Sequence, residues 1–140
     1  MHRITDIAHY LPHRPPFLLV DSIEIINEDH FISYTNPDDK VYLRNQDGVE
    51  EAFLIENIAQ TCAASFGYLA SASAGKPQIG FIGAVSKLTA TEMPTKVHQI
   101  VTEVRVLQRF GSVILVEGRC SSASSDEWLR CEMKIVLVEE

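Results

Sequence analysis

From Ala52 to Ser73 the chain is almost uninterruptedly apolar, and a single carboxylate, Glu56, stands inside that run. Only Glu56, Asn57 and Gln60 bring strongly polar side chains to its first half. Apolar residues fall on every side of the helix that such a run would form, so the helix cannot rest on a surface with one wet face. Something has to wrap it. Ala59, Ala63, Ala64, Ser65, Gly67 and Ala70 are small and would let a neighbouring backbone come close. An unpartnered ionised carboxylate in these surroundings costs on the order of several kcal/mol. Glu56 is therefore expected to be hydrogen-bonded, neutralised by a raised pKa, or used in chemistry. The run is long enough for a membrane span, but its three polar residues and the alternating segments after it read as a buried helix.

The rest of the chain supplies the wrapping. Asp47 is placed to cap the helix with Glu50 as capping-box partner, and Glu50 and Glu51 complement its positive end. Gly75 and Pro77 stop it. Upstream, Ile4, Ile7, Ala8 and Leu11 have helical spacing and predict a short amphipathic helix over 3–11, ended by Pro12 and Pro15-Pro16. Phe17 to Ile26 predicts a strand, Asn27-Glu28-Asp29 a turn and His30 to Thr35 a second strand, together a hairpin. Residues 36–49 read as loop.

Beyond residue 78 the period changes to two, predicting strands at about 79–91, 98–108, 112–122 and 127–138. In the last of these, Leu129, Cys131, Met133, Ile135 and Leu137 share one face. Pro94, Gly111 and the Ser-rich 121–126 supply the turns. The expectation is one α+β domain over 1–140, a six-stranded antiparallel sheet wrapped around one long helix. That is the hotdog arrangement.

Composition excludes several classes. Hydrophobic residues at 46% and charged residues at 22% fit a soluble globular chain. A net charge of −7 argues against nucleic acid. An acidic partner would need a local basic patch, for which Lys40, Arg44, Arg105, Arg109 and Arg119 are the candidates. Cys62, Cys120 and Cys131 are odd in number without metal-type spacing, which fits reduced thiols in a cytoplasmic protein. Cys120 and Cys131 could face each other across a hairpin. The N-terminus has no signal-peptide core, and no metal cluster, phosphate loop or Ser-His-Asp set is visible. No cofactor is expected.

Leu11-Pro12-His13-Arg14-Pro15-Pro16-Phe17-Leu18-Leu19-Val20-Asp21 closely resembles the N-terminal signature of the β-hydroxyacyl-acyl carrier protein dehydratases. Glu56-Asn57-Ile58-Ala59-Gln60 resembles that family's helix motif, Glu-x-x-Ala-Gln. The resemblance spans essentially the whole chain. It implies a hotdog dimer with active sites between the two subunits' helices, removing water from 3-hydroxyacyl groups on acyl carrier protein. It also implies that Glu56 is the catalytic carboxylate. Elimination needs a base for the α-proton and an acid for the departing hydroxyl. A carboxyl in apolar surroundings can serve as that acid.

The family's base, a histidine in a His-Phe-Pro-Gly motif, has no counterpart. Tyr42-Leu43-Arg44-Asn45 stands there, and no histidine lies between His30 and Glu56. Tyrosine, with a reference pKa near ~10, is a poor base at neutral pH. Tyr42 is either a pocket hydroxyl that bonds a substrate oxygen or a packing residue. Gln60, one turn past Glu56, orients it, bonds loop backbone or contacts substrate. His13 belongs to the signature but not as the base; a structural role is expected, although it is the best-placed histidine to substitute. His9, His30 and His98 read as surface or turn residues.

Asp47-Gly48 before the helix, without His-Phe-Pro-Gly, is similar to the dehydratase-like hotdog proteins of aryl polyene and flexirubin-type pigment pathways. Three functions are in view. One is a lyase with Glu56 as acid and a base to be found. The second is a non-catalytic subunit pairing with an active dehydratase. The third is a hotdog thioesterase in which Glu56 activates water. Homodimer and hetero-hotdog dimer are both open.

Overall fold

The apolar run is indeed one helix, and a sheet of seven strands holds it. In the computed structural model the described residues are 3–15, 17–40, 44–45, 48–73, 78–91, 97–124 and 126–139. In chain order they form β1 (Arg3–Ile4), β2 (Ser22–Asn27), β3 (His30–Thr35), β4 (Arg44–Asn45), β5 (Gly48–Val49), α1 (Glu51–Ala72), β6 (Gln78–Ala90), β7 (Ile100–Phe110), β8 (Val113–Ser121) and β9 (Glu127–Glu139). The large sheet is antiparallel with order β1-β2-β3-β7-β8-β9-β6, and β4 with β5 makes a separate small hairpin. Among the described residues no helix is long and apolar enough to cross a membrane.

The inner face of the sheet and one side of α1 close a single main core. Phe53, Leu54, Ile58 and Cys62 from the helix meet Phe31, Val104, Val116, Met133 and Ile135 from the strands, all at most 2% exposed. The close approach between layers is made by a sheet glycine rather than by the helix's small residues. A Cβ on Gly118 of β8 would lie 2.6 Å from Ile58 Cγ2, so the strand is bare where Ile58 presses on it. The helix's own Gly67 faces Tyr10, where an added Cβ would stand 3.0 Å from the Tyr10 carbonyl oxygen.

The seventh strand is β1, which pairs Arg3 with Glu24 and Ile4 with Ile23. The helix expected over 3–11 is therefore a two-residue strand followed by a 3-10 turn at Ile7–His9. Its apolar spacing marks burial correctly, since Ile4, Ile7 and Leu11 pack on Val20, Ile23 and Ala64. Asp6 makes no side-chain cap, so nothing prolongs the turn into a helix.

The first long strand also starts later than expected, at Ser22. The 36–49 loop contains a 3-10 turn at Pro37–Asp39 and the β4–β5 hairpin. The helix's N-cap is Glu50, whose side chain makes no capping bond; Asp47, expected as the cap, and Gly75 and Pro77, expected to end the helix, lie outside the described residues. β5 ends at Val49, leaving a single residue before the first helical turn.

The second half has its strands where the period of two placed them, with alternating burial in β8, β9 and the first half of β7, whereas β6 is exposed throughout 81–90. Leu129, Cys131, Met133 and Ile135 of β9 are buried. Cys131 is opposite Gly118 and Cys120 opposite Leu129, so the two cysteines do not face each other, and all three thiols are free and buried. Burial pushes Cys62 far up, Cys120 up to about 12 and Cys131 up to about 11.

Candidate active site

Four polar side chains of α1 (Asn57, Gln60, Thr61 and Ser65) are buried, and the first three are spoken for. Their partners explain why residues 17–19 do not join the sheet. Gln60 accepts from the Leu19 amide at 2.8 Å and donates to the Phe17 carbonyl at 2.9 Å. Asn57 donates to the Leu19 carbonyl at 2.8 Å, which also accepts from the Thr35 hydroxyl at 3.2 Å. Buried backbone groups must find partners, and here helix side chains stand in for a neighbouring strand. Thr102 of β7 donates to the Asn57 amide oxygen, and Thr61 bonds both Ser33 and the Asn57 carbonyl. The helix is thereby fastened to β3, β7 and the segment 17–21.

That fastening brings the N-terminal signature onto Glu56. His13 Nε2 lies 3.8 Å from Glu56 Oε1. Gln60 Nε2 reaches the same oxygen at 3.4 Å, a long hydrogen bond. Arg14 holds the turn from below, donating to the carbonyls of Leu11 at 2.8 Å and His13 at 2.7 Å. His13 Nδ1 is buried and has no hydrogen-bond partner among the described residues.

His13, Glu56 and Gln60 line a groove of about 370 Å³ with Pro12, Ala59, Ala63, Gly80, Phe81 and Ile82. One wall is helix, the other is β6. Glu56 is not enclosed: its side chain is 41% exposed, against the expectation of a carboxylate shut inside an apolar helix. The reason is topological. β6 is the last strand of the sheet and pairs only with β9, so the helix face carrying Glu56, Ala59 and Ala63 looks out beside an unpaired edge. That edge carries exposed Phe81, Ile82, Val85 and Leu88.

Of the residues expected in the site, Glu56 and Gln60 are together, with the Gln60 amide engaged by backbone and by Glu56. Tyr42 lies outside the described residues, as does the Arg44 side chain. His13 was expected to be structural, yet neither ring nitrogen makes a hydrogen bond among the described residues and Nε2 faces the carboxylate. The signal for it was the signature itself, which sets His13 among Pro12, Pro15 and Pro16 ahead of β2.

Of the five candidates for a basic patch, the four whose side chains are described each meet a carboxylate. Lys40 is buried against Asp21 at 2.8 Å, Arg105 pairs with Glu103, Arg109 with Asp29, and Arg119 with Glu117. His30 is not a bare surface residue either; it bonds Glu103 at 2.7 Å. Among the described residues no group of His, Cys, Asp and Glu could hold a metal ion.

A helix cradled by an antiparallel sheet, with a histidine and a glutamate in a groove at the sheet's edge, is the architecture of a hotdog protein. The chain belongs to the ApeP-like dehydratase family, whose model, described as ApeP dehydratase, matches residues 5–135. It is similar to the 3-hydroxyacyl-[acyl-carrier-protein] dehydratase FabZ of Coxiella burnetii, 25% identical over 142 residues covering 97% of this chain and 98% of that protein. Its fold is that of the dehydratase heterocomplex ApeI:P from Xenorhabdus doucetiae, with a TM-score of 0.84, 17% identity and coverage of 96% and 91% of the two chains. A hypothetical thioesterase from Streptococcus pneumoniae solved with coenzyme A shares the fold at a TM-score of 0.65 and 9% identity, over 84% and 85% of the chains.

Proposed function

We propose that this protein binds acyl thioesters carried on acyl carrier protein and removes water from 3-hydroxyacyl groups, in fatty acid or polyene pigment synthesis in the cytoplasm. The observation that carries this reading is the His13–Glu56 pair, 3.8 Å apart in a groove at the free edge of the sheet. Glu56 donates a proton to the departing hydroxyl. A second hotdog subunit, identical or not, lies along β6, covers its exposed apolar side chains and closes the groove; an uncovered apolar edge would invite aggregation. Tyr42 and Gln60 are the substrate-contacting candidates beside Glu56.

The test is direct. Purified protein is given a 3-hydroxyacyl-carrier substrate and the 2-enoyl product is followed by absorbance and mass. Dehydration that Glu56→Gln abolishes supports the lyase. No dehydration, with Glu56→Ala changing nothing measurable, sinks it.

A second reading is favoured by one observation, the likeness to a heterocomplex. Here the chain is a non-catalytic subunit that stabilises an active dehydratase, and co-purification with a hotdog protein bearing His-Phe-Pro-Gly supports it. Release of free thiol from the acyl carrier would instead mark a thioesterase.

A further inference from the structure

The missing base histidine raises the question of what replaces it, and the surroundings of His13 answer in terms of hydrogen atoms. His13 Nδ1 is buried without a partner among the described residues. A proton there would be a buried donor with no acceptor, at a cost of about 1–3 kcal/mol. An unpaired ring lone pair is the more tolerable state, since under-satisfied acceptors are commoner than orphaned donors. The neutral ring therefore carries its proton on Nε2, the nitrogen turned to Glu56. At 3.8 Å from Oε1 that N–H is too far for a hydrogen bond to the carboxylate and is open to the groove.

We infer that nothing replaces the base histidine: Glu56 serves as base and then acid, and His13 is a further catalytic residue that donates its Nε2–H to the thioester oxygen. This rests on the dehydratase reading above. The Glu56 carboxylate takes the C2 proton of a 3-hydroxyacyl thioester. The C–H electron pair moves toward the carbonyl, and the negative charge gathered on its oxygen meets the His13 N–H. Neutral imidazole can stabilise such charge as a fixed donor. The pair then returns to form C2=C3 as the C3–O bond breaks. Glu56 gives the same proton to the leaving hydroxyl, which departs as water, and the carboxylate is restored. No further acid, base or co-reactant is needed.

The supporting contacts suit this division. Gln60 holds Glu56 Oε1 from one side, and the turn bearing His13 is pinned by Arg14 and by the Gln60 bonds to residues 17 and 19.

Two measurements decide it. The 15N spectrum of the His13 ring in the native protein is expected to show the Nε2–H tautomer; the Nδ1–H tautomer would overturn the inference. Turnover of a 3-hydroxyacyl pantetheine thioester is then compared among variants that keep the native circular dichroism. His13→Ala is expected to lower kcat about 100-fold, the loss typical of one oxyanion donor. His13→Gln, which can donate but not take a proton, should stay within about tenfold of wild type, and Glu56→Gln should lose about 1,000-fold or more. His13→Gln as slow as Glu56→Gln would make His13 the base and refute the division, leaving the lyase reading intact. A wild-type protein without turnover would remove both.

Discussion

Replacing Gln60 by methionine keeps the side chain's bulk and deletes its hydrogen bonds. In the wild type the amide accepts from the Leu19 N–H at 2.8 Å and donates to the Phe17 carbonyl at 2.9 Å, with the residue 1% exposed. No strand is available to take over, because β2 begins only at Ser22. Each orphaned backbone group costs about 1–3 kcal/mol, and the Phe17 end is only partly buried, so a loss of about 2–4 kcal/mol is expected. For a domain of this size about 1 kcal/mol corresponds to roughly 3 °C, giving a fall in Tm of about 6–12 °C by calorimetry. Amide exchange should speed up at Leu19 more than at Met133 in the core. A stability within about 1 kcal/mol of wild type, with Leu19 exchange unchanged, would refute the view that Gln60 substitutes for a strand.

Gly118→Ala places a methyl 2.6 Å from Ile58 Cγ2 and should destabilise by about 1–3 kcal/mol in urea melts, a cost that shrinks in the Ile58→Ala background. Val85→Lys on the exposed β6 edge should shift the protein toward monomer in sedimentation, while a lysine at the exposed Leu107 of β7 should not. The three buried thiols have pKa values raised above their unfolded values, to about 12 for Cys120 and about 11 for Cys131, so the folded state holds protons that the unfolded chain releases. Their contribution is full below about pH 8.5 and is lost as pH rises toward 11, so denaturant stability should fall above about pH 9. Native protein at pH 8 should react with a thiol reagent only at the rate of global unfolding.

The helix and the four strands after it were legible because each is one long run of consistent character, and the alternation of Cys131, Met133 and Ile135 with Arg130, Glu132 and Lys134 left them no choice of face. The first 40 residues were less so. Ile4, Ile7 and Leu11 carry helical spacing, but a spacing records which residues are buried, and a strand plus a tight turn buries the same three. Phe17 to Asp21 have strand composition, yet the Phe17 carbonyl and both backbone groups of Leu19 find partners on a helix about forty residues away in sequence, beyond any local pattern.

Sequence alone determined that a helix bearing Glu56 had to be wrapped, because apolar side chains on every face leave no wet side. It also determined that the usual base histidine is absent from its motif position, since no histidine stands between His30 and Glu56. Tertiary structure decided what stands beside Glu56 and how wet it is. His13 meets the carboxylate only because Gln60 and Asn57 draw residues 17–19 onto the helix, and the carboxylate is open only because β6 ends the sheet. Both are consequences of long-range pairing, where hydrogen bonds and sheet order join residues that no local periodicity connects.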